Sequence, residues 1–135
     1  MGLLTRFGPR PWRLWFVVGA ALLIAVVPAM RALADSSQCS VSSGTCAAKA
    51  AFTSYGEHLK VYDRAADGHS AVVLYWLSDG TGPYFGWNPN GNGSVVDIDL
   101  ELPEGDWIFF KACLGEYGTK TLVSGTCSAG VTDYA

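Results

Sequence analysis

The chain is poor in the groupings that carry common chemistries. It has two histidines, His58 and His69, neither at ligand spacing to a thiol, and no C-x-x-C, so the usual zinc patterns are missing. There is no H-E-x-x-H and no phosphate-binding glycine motif. There is no G-x-S-x-G nucleophile elbow either. Charged residues make up only 16% of the chain, and no Lys/Arg cluster occurs beyond the first thirty-four residues. That absence argues against nucleic acid and anionic lipid as partners. No adjacent arginine pair stands near the start, which favours a general secretory route over a twin-arginine one.

What is present begins with an export pattern. Arg6, Arg10 and Arg13 form a basic start, with no acid before Asp35. Residues 14–30 are uncharged and mostly apolar, Pro28 lies near their end, and Ala32-Leu33-Ala34 supplies the small-x-small pattern of signal peptidase. Residues 1–34 are therefore expected to be a cleaved signal peptide, and the working protein to be secreted. The alternative is retention, with residues 14–30 as a membrane anchor at the short end of the roughly 17–25 residues a span needs. Contact with the membrane is expected only through that leader. No Cys stands at the cleavage point, which argues against a lipoprotein.

The remaining 101 residues suffice for one domain with one core. Four of the nine basic residues lie in the leader, leaving five against all twelve acids, a formal balance of −7. All four cysteines, Cys39, Cys46, Cys113 and Cys127, fall in this part. An even count in a small exported domain predicts two disulfides, with thiol chemistry excluded by oxidation. Proximity favours Cys39–Cys46 and Cys113–Cys127; the other two connectivities stay open.

Residues 35–56 are small and polar, with Gly44-Thr45 placed to cap a short helix over residues 47–52. They are expected to form a helix or a cover, with the domain proper at 57–135. From Leu59 the period is two. Residues 70–77 are apolar on both parities, as in a central strand or one whose outer face is a binding surface. Residues 78–94 hold five glycines, two prolines and three asparagines, which predicts a long loop or a brief strand at Tyr84-Phe85 between two turns. Val96, Ile98, Leu100 and Leu102 are expected to face in, and Asp97, Asp99 and Glu101 out. In residues 107–114, Lys111 assigns its face outward, together with Trp107, Phe109 and Cys113. The N-terminal segment is the expected cover for the two rings. Bridging Cys113 to Cys127 requires the last strand to end by Ser124-Gly125 and the chain to fold back.

These patterns predict an all-β Greek-key β-sandwich of about six or seven strands, with two disulfides and a short N-terminal helix or cover. Residues 102–110, Leu-Pro-Glu-Gly-Asp-Trp-Ile-Phe-Phe, resemble the corner before the penultimate strand of fibronectin type III and related immunoglobulin-like sandwiches. The rest of the mature chain is similar to small exported actinobacterial proteins of unassigned activity. Neither resemblance implies a catalytic residue.

The candidate site is the Gly/Asn-rich loop with its aromatics: Trp76, Asp79, Tyr84, Phe85, Trp87, Asn88 and Asn90. Flat rings backed by amides and carboxylates suit sugar recognition, and Trp and Tyr equally suit protein contacts. The competing reading is that the rings merely close the core. Asp97, Asp99 and Glu101 raise a calcium question, but an i, i+2 spacing of about 6.5–7 Å is too wide to share one ion without loop oxygens. The plain reading is a solvated strand face. The expectation is a secreted, non-catalytic binding module with a protein or glycan partner outside the cell, no cofactor and no resident metal. A carbohydrate-binding module and an inhibitor of a secreted hydrolase are the alternatives.

Overall fold

The structure, a computed structural model, describes residues 35–42 and 44–135. The predicted signal peptide, and the alternative anchor at 14–30, lie outside the described residues. Nine strands and no helix occur among them: β1 (Ser36–Ser42), β2 (Thr45–Thr53), β3 (His58–Asp63), β4 (Ser70–Leu77), β5 (Tyr84–Asn88), β6 (Val95–Asp99), β7 (Trp107–Glu116), β8 (Thr121–Leu122) and β9 (Val131–Tyr134). They form two antiparallel sheets stacked as a sandwich. One runs β1-β2-β3-β6; the other runs β5-β4-β7, with β8 and β9 both pairing along the far side of β7.

Alternation decides which side chains meet between the layers. In β3, Leu59, Val61 and Asp63 are buried while His58, Lys60 and Tyr62 are half-exposed. Phe52, Leu59, Val61, Val73, Ile108 and Phe110 form the heart of the core, all fully buried. Burying each such side chain contributes roughly 1.5–3 kcal/mol. Ile98, Leu100 and Leu102 pack against this core as their parity predicts, although β6 itself ends at Asp99. Gly86 on β5 lets the layers close: a Cβ there would run into Ile98 Cδ1 and come within 2.7 Å of Val73 Cγ1.

The N-terminal segment departs from expectation. Residues 47–52 are extended within β2, hydrogen-bonded to β1 on one side and β3 on the other. Ala48, Ala50 and Phe52 point into the core, and Lys49 and Ala51 away from it. Alanine's helix preference is worth less than 1 kcal/mol per residue over ordinary neighbours, and two flanking strands with a buried Phe override it. Residues 36–53 thus build half of the first sheet, and the expected boundary at 56/57 does not hold. These two strands, with the division of the last strand into β8 and β9, raise the count above six or seven.

That division is made by a disulfide. Both bridges are those favoured by proximity, Cys39–Cys46 and Cys113–Cys127. The first staples the β1–β2 hairpin. For the second, β8 stops at Leu122, Gly125 takes φ +76°, and the chain bulges out before rejoining β7 at Val131. Side chains replace the interrupted ladder there: Ala112 N–H donates to Ser128 Oγ at 3.0 Å, and Leu114 N–H to Thr126 Oγ1 at 3.1 Å.

Candidate functional site

The register of the second sheet brings aromatic residues from four strands onto its outer face. Phe109 of β7 stands between Trp76 of β4 and Thr132 of β9. One step along, Lys111 and Leu74 are paired, and Leu74 is paired with Phe85 of β5. Beyond them come Cys113, Val72 and Trp87; at the other end, Trp107 pairs with Tyr134. Successive residues of a strand point to opposite faces, so all of these share the side turned away from the core. Trp76, Phe85, Trp87, Trp107, Phe109 and Tyr134 therefore form one ring-covered surface, each ring partly or substantially exposed.

The rings are seated. Trp76 and Phe109 lie with centroids 5.5 Å apart. The Phe109 ring occupies the space a Cβ would take at Gly130, where φ is +97°. Trp87 lies over Gly115 and meets Tyr117 edge-on at 6.0 Å. Beneath, Val72, Leu74 and Cys113 form a small second core, with Trp76, Trp87 and Leu122 packed against it. An open groove of about 670 Å³ runs over this face, lined by Trp76, Gly80, Trp107, Phe109, Thr132 and Tyr134 together with Leu77.

Among the residues singled out by sequence, Trp76, Phe85 and Trp87 are brought together here. Tyr84 is not: it pairs with Tyr75 on the opposite parity, ring centroids 5.3 Å apart. Burial, and secondarily Tyr84, pushes the Tyr75 phenol up. Asp79 sits in the turn after β4 and accepts from Thr81 Oγ1 at 2.6 Å and Thr81 N–H at 2.8 Å. Those bonds hold its carboxyl below the usual range. Asn88 requires a correction, since it is fully buried. Its Nδ2 donates to Val61 O at 2.9 Å and Ser94 O at 3.1 Å, while its Oδ1 accepts from Asn90 N–H and Ser94 Oγ. It ties the residue 88–94 loop to the core, and Asn90 contributes through its backbone.

Trp107, Phe109 and Tyr134 were not among the expected site residues. Sharing parity with Lys111 turns the first two outward, but β1 and β2 lie in the opposite sheet and do not cover them. Tyr134 belongs to a four-residue strand with no apolar alternation to announce it.

The carboxylates of β6 are elsewhere. Asp97 and Asp99 lie on the outer face of the first sheet, where Asp97 meets His58 Nδ1 at 3.0 Å and Lys60 Nζ at 3.9 Å. Glu101 is exposed past the strand end. Among the described residues, no three His, Cys, Asp or Glu side chains group as metal ligands. His69 pairs with Glu116. Asp63 is buried between the sheets, its Oδ1 accepting from Ala65 N–H and its Oδ2 unpartnered, and burial pushes its carboxyl up.

Comparison with protein-family models, with curated proteins and with solved structures finds no match to this chain.

Proposed function

We propose that this chain is an exported, non-catalytic binding module that recognises its ligand on the ring-covered outer face of the second sheet. The observation that carries this reading is the convergence of Trp76, Phe85, Trp87, Trp107, Phe109 and Tyr134 on one face, with no further layer over them among the described residues. Aromatic rings dominate the energetics of interfaces because each offers a large, stiff surface. Two disulfides agree with folding in an oxidising compartment beyond the leader.

The strand order supports the resemblance drawn from residues 102–110. β3 lies beside β6 in one layer and β4 beside β7 in the other. Immunoglobulin-like sandwiches pair strands B with E and C with F in the same way. The corner at residues 102–106 leads into β7, the strand that corresponds to F. β2 stands where strand A borders B, and β1 is an addition to that plan.

The reading is tested by presenting the secreted protein to immobilised panels of polysaccharides and of exported proteins, beside a Trp76→Ala/Trp107→Ala variant with an unchanged circular dichroism spectrum. Retention of a ligand by the parent and its loss in the variant is the expected result. Retention indifferent to the substitutions, no retention across both panels, or turnover of a retained ligand overturns it.

A further inference from the structure

The ring-covered face is also where an acidic domain shows positive charge. On the outward positions of β4, β5, β7, β8 and β9 the one charged residue is Lys111, with Lys120 at the turn between β7 and β8. Neither ammonium has a carboxylate within 4.0 Å among the described residues. Both lie on rings instead. Lys111 Nζ is 5.8 Å from the Phe109 centroid, and Lys120 Nζ is 5.1 Å from that of Trp87 and 2.9 Å from that of Tyr117. Two of the acids are held by cations away from this face, Asp97 by His58 and Lys60 and Glu116 by His69, while Asp79, bonded by Thr81, keeps its charge beside Gly80 at one end of the groove. At physiological ionic strength charges further off than about 8 Å are largely screened. Lys111 is therefore the charge that stands directly among the rings of this face.

We infer that the ligand of this face is an acidic polysaccharide, its sugar rings stacked on Trp76, Trp107 and Phe109 and its carboxylates received by Lys111; this rests on the reading of the face as the binding surface. The charge complementarity calls for an anion. The shape selects a glycan over an acidic peptide. A protein partner anchors side chains in desolvated pits, whereas this groove is open, and the aliphatic Val72 and Leu74 of the same face are buried under the rings. A sugar ring lays its C–H face on an aromatic while its hydroxyls stay in water. Thr132 and Tyr134 border the groove with two hydroxyls. The volume of about 670 Å³ lies within the roughly 300–1,000 Å³ of small-ligand sites.

Affinity electrophoresis of the exported protein through polygalacturonate, hydroxyethylcellulose and polyglutamate tests this. The expected result is retardation by polygalacturonate roughly tenfold tighter than by the neutral glucan. Lys111→Gln should remove most of that difference, Trp107→Ala should weaken both, and salt should weaken the acidic glycan alone. Thermal melts certify that each variant folds, and Lys60→Gln on the opposite face should change nothing. Equal binding of the two glycans with no effect of Lys111→Gln overturns the inference and leaves the binding-module reading intact. Polyglutamate bound as tightly as polygalacturonate overturns it in favour of an acidic protein. Binding of none overturns it too, and the wider panels then judge the module reading separately.

Discussion

The indole of Trp87 lies across Gly115, so close that a Cβ at that glycine would come within 2.8 Å of Cζ3 and 2.9 Å of Cη2. The contact spans the sheet, because Trp87 is on β5 and Gly115 on β7 with β4 between them. It closes the small core over Val72 and Cys113 and lets Lys120 and Tyr117 pack around the ring. Gly115→Ala should therefore lower stability by about 1–3 kcal/mol, the cost of overpacking a filled site. The backbone oxygen of Thr121, 2.9 Å from the same position, limits relaxation. Gly118→Ala, with nothing within 4 Å, is the control and should be near neutral. Urea unfolding followed by tryptophan fluorescence separates the two; equal midpoints would deny the contact its role.

Much of this architecture was legible in the chain because alternation is a direct imprint of half-burial. Leu59/Val61 and Val96/Ile98 fell on the inner face their period indicated, and the two-sided run at residues 70–77 became the central strand β4. Residues 47–52 were not legible, since alanine fits both a helix and a tightly packed inner strand, and only pairing with β1 and β3 decides. The candidate site was half visible. Trp76, Phe85 and Trp87 cluster in sequence, whereas Trp107, Phe109 and Tyr134 join them through strand register alone. Asn88 misled because an amide in a glycine-rich loop looks like a ligand group until the loop's own hydrogen bonds claim it.

Asp63 should make the domain less stable as pH rises through its folded-state pKa. Its carboxyl is raised from the ordinary value of 3.8 by burial, opposed by the Ala65 N–H bond and reinforced by Asp67. A group whose folded pKa lies above its unfolded one favours folding fully below the unfolded value, and that contribution is lost as pH rises through the folded value. Asp63→Asn, which cannot ionise, should be more stable than the parent at neutral pH, and the gap should close below pH 3.8. Urea midpoints of both proteins across this range measure it. A gap independent of pH would mean that the carboxylate is solvated in the folded state.

The two bridges should differ in consequence. Chain-entropy reasoning gives about 3 kcal/mol for the Cys113–Cys127 loop and about 2.5 kcal/mol for the shorter Cys39–Cys46 loop, nearly alike. Position separates them. Cys113 is fully buried in the small core under the outer rings, and its partner anchors the bulge that brings Gly130 beneath Phe109. Replacing Cys113 and Cys127 by Ala should therefore cost more than the paired change at Cys39 and Cys46. It should also alter near-ultraviolet circular dichroism of the tryptophans, which the hairpin variant should leave unchanged. Identical spectra for the two variants would show that the ring face does not depend on the bulge.

Asn88 offers the clearest separation of binding from folding within the loop. Its amide donates to two carbonyls and its oxygen accepts two bonds, so both ends are occupied inside the protein and neither is free for a ligand. Asn88→Ala takes the amide donor from the Val61 and Ser94 carbonyls, of which Ser94 O keeps the Asp63 N–H, and should cost about 1–3 kcal/mol. Asn88→Asp keeps the size but replaces the donating nitrogen with an acceptor facing those same two oxygens, so it should be worse than Ala despite the closer shape. Ligand affinity, measured at a temperature where each variant is fully folded, should stay at the parent value for Ala, while Trp107→Ala weakens it with little change in midpoint. If Asn88→Ala instead lost affinity at full folding, the amide would belong to the binding surface and the site would extend to the residue 88–94 loop.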